Sequence, residues 1–303
     1  LFIEQQPLNA RMLKSQGSRG MIHDRIDRTG DSRSMKTAGR ATGGYTVVIV
    51  LASILLIYLV SPVIYFLFFY SWRQTGAVLS DPIAQGALVT SLLSATVSIA
   101  IIAVLGIPLG YVLARRRFTG RQALILLVYL PLVFPPVVSG ILLLVLYGPY
   151  GLVGGPFASA GLELDTTFAG IVLAQIFVAS PFVIIAARSA FEAVDPALEE
   201  VAATLGKSSW QIFWRINLPA ARLGIVAGLL LGWLRALGEF GATAVMAYHP
   251  YTLPVYVYVQ LSGLGVQPAL GLLLFILPVS IIGGGLALWI EERATRRRRH
   301  VAY

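Results

Sequence analysis

Arg235 and Glu239 are two ionisable residues placed four positions apart inside the apolar stretch Ala221–Met246. On a helix this spacing brings both side chains to one face, where opposite charges neutralise one another. An ionisable side chain at membrane depth is costly and marks function by default. Two interpretations are open: the pair borders a pathway or an outer gate, or it clamps helices or subunits together.

Three serines, Ser91, Ser94 and Ser98, are spaced so that they share one face of a helix. Their hydroxyls could line a hydrated path for an anion, whereas small residues more often let two membrane helices pack closely. Both interpretations are kept. With Arg235 and Glu239 the serines form the candidate pathway or gate residues.

An amphipathic sequence, DPALEEVAATLGKSSWQIFWRINLP, fills residues 195–219 between two apolar stretches, and we call it the loop segment. Asp195 and Pro196 are typical of a helix start. Gly206 stands where a helix commonly ends in a left-handed residue. Between them the helical spacing predicts one apolar stripe, formed by Leu198, Val201, Ala202 and Leu205.

A second short helix is expected after Gly206, capped by Ser208 or Ser209 and carrying Trp210, Phe213 and Trp214. Pro219 is expected to interrupt it before the next apolar stretch begins. From the residues alone, the loop segment fits either a groove in a partner protein or the lipid headgroups.

The chain that holds these groups has 303 residues, of which 57% are hydrophobic and 12% charged, with a mean hydropathy of +0.78. Soluble domains carry about 25% charged residues, so the composition indicates an all-α integral membrane protein. The absence of cysteine excludes disulfides and thiol nucleophiles. The net charge of +9 comes from basic residues clustered at the ends of apolar stretches, which argues against nucleic acid as a partner.

Crossing a bilayer core about 30 Å thick takes roughly 20 apolar residues in a helix. Prolines in the third and fourth apolar stretches, among them Pro135, Pro136 and Pro181, predict kinks. Six stretches meet the length requirement: Tyr45–Phe69, Ile83–Leu113, Ala123–Tyr147, Phe168–Ala187, Ala221–Met246 and Leu270–Ile290.

Basic residues alternate between the two sides of these stretches, which predicts that both termini and the loop segment are cytoplasmic. We therefore expect a basic, disordered cytoplasmic segment at residues 1–44, a six-span domain at 45–290 and a basic cytoplasmic tail at 291–303. Met35 precedes a short basic lead into the first stretch, so the natural start is expected at Met35 or at another internal methionine.

Glu200-Val201-Ala202, three residues, Gly206, nine residues and then Ile216-x-Leu218-Pro219 resemble the EAA loop of ABC-type importer permeases, E-A-A-x3-G-x9-I-x-L-P. Only Val201 departs from that pattern. The resemblance covers roughly residues 45–290 and implies the type I, MetI-like permease bundle. It also implies an ATPase-coupling loop formed by Glu199, Glu200, Val201, Ala202, Leu205, Gly206, Ile216, Leu218 and Pro219.

The sequences RALGEFGAT, from Arg235, and TLPVYVY, from Thr252, are similar to molybdate and sulfate permeases. Residues 246–251, MAYHPY, stand where those permeases usually have a glycine-asparagine loop. The resemblance therefore implies an oxyanion substrate, with molybdate the first expectation and sulfate or tungstate next.

The same resemblance implies cytoplasmic ATPase subunits, an extracytoplasmic substrate-binding protein, a second permease chain (most simply a homodimer) and a lipid-embedded site in a prokaryotic cytoplasmic membrane. No catalytic residue, cofactor or metal is expected here, and the sequence has no G-x4-GK[ST] loop, so ATP is expected on a partner subunit. The alternatives are a permease for thiamine, ferric iron or a polyamine, and a non-transporting docking or sensor protein. A membrane-embedded enzyme is disfavoured, because no stretch carries a recognisable catalytic motif.

Overall fold

The computed structural model describes the backbone of residues 31–301, and the side chains of residues 45–73, 75–290 and 292–293. Helices are the only regular elements in this described part. They are α1 (Asp31–Phe69), a 3-10 turn (Trp72–Gln74), α2 (Thr75–Leu79), α3 (Pro82–Arg115), α4 (Arg121–Val133), α5 (Pro136–Tyr147), α6 (Gly154–Ser159), α7 (Phe168–Glu192), α8 (Ala197–Thr204), α9 (Ser209–Ile212), a π-helical turn (Phe213–Asn217), α10 (Leu218–Leu237), α11 (Gly241–Met246), α12 (Leu253–Leu264), α13 (Val266–Gly271) and α14 (Leu273–Val301).

The chain divides into two units, residues 1–69 and 70–303. Helix α1 belongs to the first unit, and its residues 45–69 have a mean hydropathy of 2.9. The helix begins at Asp31, so residues 31–44 are helical where we expected disorder. The same expectation for residues 1–30 lies outside the described residues, and the predicted tail continues α14 as helix to Val301.

The all-helical, multi-span fold predicted from the sequence is confirmed. Among the described residues, five helical stretches are long and apolar enough to cross a bilayer, and a bent pair of helices makes a sixth candidate. The five are Tyr45–Phe69, Pro82–Arg115, Phe168–Glu192, Ser209–Leu237 and Val266–Ile290.

The third predicted stretch is not a single kinked helix. Helices α4 and α5 meet at an angle of 114° across Phe134 and Pro135. Pro135 and Pro136 together remove two backbone N–H donors, and Pro136 then starts α5 in the first turn, where no donor is needed. The two halves have 13 and 12 residues, about 20 Å and 18 Å of helix, so neither crosses a bilayer alone.

The fifth predicted stretch differs at both ends. It ends at Leu237 and not at Met246, because residues 238–240 leave the helix before α11 begins. At its start, α9 and the π-helical turn run directly into α10, so Pro219 does not interrupt the helix as expected. A widened π turn relieves the clash that a proline ring makes with the carbonyl one turn earlier.

Helix α7 forms the centre of the second unit and packs against both α3 and α10. Glycines make these contacts close. A Cβ on Gly228 of α10 would stand 2.3 Å from the Cβ of Ala186, and one on Gly110 of α3 would stand 2.9 Å from that of Ala187. Small residues that let backbones approach are the usual glue between helices in membranes. Three long helices therefore form a fixed frame for the loop segment, which leaves α7 and enters α10.

Candidate functional site

The first helix of the loop segment, α8, begins and ends as its sequence predicts. The Asp195 carboxylate accepts a hydrogen bond of 2.9 Å from the backbone N–H of Ala197, which caps the helix start. Gly206 has a φ of +76°, and the following N–H, that of Lys207, donates to the Ala202 carbonyl at 3.1 Å. This left-handed ending is confirmed.

The second helix, α9, is capped by Ser208 and not by Ser209. The Ser208 hydroxyl accepts from the N–H of Gln211 at 3.3 Å, and the Gln211 side chain accepts from the N–H of Ser208 at 3.2 Å. This reciprocal arrangement is a capping box. It fixes the direction in which the chain leaves Gly206, with Trp210 and Trp214 exposed beyond it.

The predicted apolar stripe on α8 is divided between two environments. Leu198, Val201 and Leu205 are 50%, 59% and 73% exposed, whereas Ala202 is only 5% exposed. Ala202 is covered by its own chain, so the exposed part of the stripe consists of the other three residues. The other three side chains form an exposed apolar patch, which we call the α8 patch. Such a patch at the end of a helical unit is typical of a contact surface.

Glu199 and Glu200 flank the patch and differ in environment. Glu199 forms an ion pair of 2.5 Å with Arg115 at the end of α3, and Glu200 is exposed. Arg115 also donates to the Val194 carbonyl at 2.7 Å, just before the loop segment. Sequence reasoning missed Arg115, because it opens the run Arg115–Arg117 and such runs usually only orient a membrane span.

A second contact holds the other end of the loop segment. The Asn217 amide donates to the Tyr111 hydroxyl at 3.3 Å, one turn before Arg115 on α3. The Tyr111 ring packs edge-on against Phe213 and Phe191, with ring centroids 4.9 Å and 5.2 Å away. The remaining motif residues follow this cluster. Ile216, in the π-helical turn, and Leu218, the first residue of α10, are half-buried, and Pro219 is exposed.

The predicted ion pair between Arg235 and Glu239 is present, with Nη1 and Oε2 2.6 Å apart. Glu239 lies beyond the end of α10 and is buried, whereas Arg235 remains partly exposed. The other carboxylate oxygen of Glu239 accepts from the N–H of Ala242 at 2.8 Å, in the first turn of α11. Glu239 therefore bridges a helix end and a helix start.

The three candidate serines are fully buried and hydrogen-bonded within the chain. The Ser91 hydroxyl accepts from the N–H of Leu253 at 2.7 Å, at the start of α12. Ser94 donates to the Ser91 carbonyl at 3.3 Å, and Ser98 donates to the Gln175 side chain at 3.0 Å. This geometry favours the packing interpretation over a hydrated path.

An apolar cavity of about 510 Å³ lies beside Ser91, between α3, α10, α12 and α14. Its walls include Leu88, Leu237, Leu253 and Phe275, and no ionisable side chain lines it. Within the described residues no group of His, Asp or Glu side chains could hold a metal ion. The cavity therefore offers no charged side chain to an anion.

The chain thus combines a bundle of membrane-length helices with a capped amphipathic segment that presents apolar side chains, an arrangement typical of membrane transport subunits. Residues 106–296 match the family described as the inner membrane component of binding-protein-dependent transport systems. The chain belongs to this family.

Relatives with a named substrate are similar over most of their length. A probable molybdenum ABC transporter permease protein of Haloferax volcanii is 40% identical, over 79% of this chain and 85% of that protein. The molybdate/tungstate permease WtpB of Thermococcus kodakarensis is also 40% identical, over 70% of this chain and 78% of its own. The sulfate permease CysW of a Synechocystis strain is 35% identical, over 69% and 77%.

Solved structures agree on the fold. A chain of a bacterial alginate ABC transporter superposes with a TM-score of 0.66, at 19% identity, over 86% of this chain and 96% of its own. A chain of the MetNI methionine ABC transporter gives a TM-score of 0.54, at 17% identity, over 70% and 99%. The predicted type I importer bundle is thereby confirmed as the fold.

Proposed function

We propose that this chain is the permease subunit of an ATP-driven importer for an oxyanion, with molybdate the first candidate and tungstate or sulfate next. The substrate class is supported by the relatives named molybdenum, molybdate/tungstate and sulfate permeases, which are 35% to 40% identical. The sequences beginning at Arg235 and Thr252 support the same class.

Docking of an ATPase is carried by one observation, the exposure of Leu198, Val201 and Leu205 on α8. An amphipathic helix with such a face fits an apolar groove in a partner protein. The partner is a cytoplasmic ABC ATPase, which binds and hydrolyses ATP because this sequence carries no phosphate-binding loop. The chain itself has no catalytic residue and binds no cofactor.

The working assembly contains two copies of this chain, two ATPase subunits and an extracytoplasmic binding protein, in a prokaryotic cytoplasmic membrane. An alginate transporter of the same fold has been solved in complex with a ligand-bound periplasmic protein, which supports the last partner. ATP binding draws the two loop segments together and switches the bundle from inward-open to outward-open, as alternating access requires.

Substrate choice is set mainly by the binding protein. The cavity beside Ser91 has no ionisable lining, and Arg235, the basic residue near it, is already neutralised by Glu239. A high-affinity anion site needs positive charge or converging donors. The binding protein therefore selects the anion before the anion enters the spans.

ATP-dependent uptake of labelled molybdate by vesicles holding this chain and its ATPase tests the proposal, with the binding protein added outside. We expect uptake that needs all three proteins and that tungstate or sulfate compete for. ATPase binding without oxyanion uptake, but with uptake of thiamine, ferric iron or a polyamine, would correct the substrate. If the ATPase does not bind at all, a sensor or docking protein would be the better hypothesis.

A further inference from the structure

The last turns of α3 contact both helical parts of the loop segment through two side chains one turn apart. Arg115 pairs with Glu199 of α8, and Tyr111 accepts from Asn217 in the π-helical turn. We propose that Tyr111 and Arg115 act as positioning residues, a clasp that makes the loop segment move as one body with α3. This inference rests on the proposed function, because it concerns how ATPase movement reaches the membrane.

The clasp is polar and partly buried, with the Glu199 side chain 23% exposed, although apolar packing alone could hold two helices together. Arg115 is 12% exposed, and Asn217 is fully buried, with an Oδ1 that has no hydrogen-bond partner among the described residues. Buried polar groups cost free energy unless they are paired, and apolar side chains would often be more stable. Their use here fits a requirement for one defined geometry of the joint.

The π-helical turn Phe213–Asn217 supports the same assignment. Such turns are rare and frequently mark functional positions in helices. Here the turn connects α9 to α10, and its last residue, Asn217, makes the contact to Tyr111. The loop segment is therefore held to α3 at both ends, while its connection to α10 passes through an irregular turn.

Helix α3 also contacts α12, at the opposite end from the clasp. It runs unbroken for 34 residues, about 51 Å. Asp81 caps its start and accepts a hydrogen bond of 2.7 Å from the Tyr256 hydroxyl, while Ser91 accepts from the N–H of Leu253. Burial raises the pKa of Tyr256 to about 12, so this hydroxyl keeps its proton at any physiological pH. A displacement of the clasp along α3 thus moves the start of α12.

We expect different effects from mutations in the clasp and in the α8 patch. The patch side chains are exposed and available to the ATPase, whereas Arg115 is 12% exposed and Asn217 is fully buried, so both are largely covered by their own chain. Loss of the patch should release the ATPase. Loss of the clasp should leave the ATPase bound and hydrolysing ATP, with less substrate carried per ATP.

The test compares Arg115→Glu, Glu199→Arg and the double exchange in the complete transporter, with Tyr111→Phe as a milder variant that keeps the ring. We expect ATPase binding within about twofold of wild type for Arg115→Glu and Tyr111→Phe, and uptake per ATP lowered about tenfold in each charge reversal. The double exchange should restore most of the ratio, because it re-forms the ion pair with its charges reversed. Arg188→Glu, in the exposed Arg188–Glu192 pair, is the matched control and should leave the ratio unchanged.

A second readout does not depend on the substrate. The chain has no cysteine, so a single Ser80→Cys substitution places one fluorophore beside the start of α3. ATP should change its fluorescence in the wild-type complex and not in Arg115→Glu. A persistent ATP response, unchanged uptake per ATP, or parallel loss of ATPase binding would each overturn the clasp. Wild-type fluorescence changes without oxyanion uptake would retain the clasp and reject the oxyanion as substrate.

Discussion

Leu205 is the most exposed member of the α8 patch, and its replacement tests the docking surface most directly. With 73% of the residue exposed, its side chain has few contacts to lose within the chain. Leu205→Ala removes apolar area from the proposed interface, and Leu205→Asp places a carboxylate there. Neither change alters a membrane span, and both keep the backbone N–H at position 205 that bonds to the Val201 carbonyl at the end of α8.

The size of the effect follows from the exposed area. Full burial of a leucine side chain contributes about 1.5–3 kcal/mol, so covering the exposed 73% would contribute about 1–2 kcal/mol. Leu205→Ala should therefore weaken ATPase binding about 5- to 30-fold. An unpaired carboxylate buried in an interface costs about 2–5 kcal/mol, so Leu205→Asp should weaken it at least about 30-fold.

Titration of labelled ATPase onto the purified permease measures both affinities, and thermal unfolding of the permease alone is the control. We expect the Tm of both Leu205 variants to stay within about 2 °C of wild type. Ala202→Asp is the matched comparison. Ala202 is buried against its own chain, so that variant should lower Tm as well as binding. Wild-type ATPase affinity for Leu205→Asp at unchanged Tm would refute docking through α8 and return the loop segment to the lipid headgroups.

Three further changes test separate parts of the structure. Gly206→Val forces a β-branched residue into a φ of +76°. An added Cβ would have open space there, so the cost comes from the backbone and is about 1–2 kcal/mol. We expect a lower Tm and weaker ATPase coupling. Arg235→Ala should lower Tm more than the double change Arg235→Ala with Glu239→Ala. The single change leaves a buried carboxylate without its partner, at a cost of about 3–5 kcal/mol. Equal Tm values for the single and double variants would favour a direct role of Arg235 in transport. Exchange of the binding protein for one of different specificity but compatible docking surface should change the anion taken up; uptake of the original anion would place selection in the spans.

Features encoded by neighbouring residues could be predicted from the sequence. The cap at Asp195, the left-handed ending at Gly206 and the apolar helices each depend on residues within one or two turns. The motif spacing from Glu200 to Pro219 identified the family for the same reason. Local patterns of this kind carry their own physical cause, so no tertiary contact was needed to read them.

Features that depend on distant partners could not be predicted. Pro135 and Pro136 predict a break in the helix, but the angle of 114° depends on tertiary packing. Gly140 packs against Ala242, and Gly241 packs against Pro136. In the sequence Arg115 has the pattern of a basic residue that orients a membrane span, and its ion pair with Glu199 is visible only in the folded chain. Ala202 has the spacing of an exposed stripe residue and is covered by its own chain.

Ser91 and Glu239, two buried polar residues, show why sequence alone left their roles open. A helix start has backbone N–H groups without a partner, and where that start is buried these groups need an acceptor from the protein. Ser91 accepts the N–H of Leu253 at the start of α12, and Glu239 accepts that of Ala242 at the start of α11. Neither need is visible until the breaks before these short helices are known. Because Glu239 is needed as an acceptor, Arg235 is needed to neutralise its charge. This explanation favours the interpretation of the pair as a structural clamp over that as a gate.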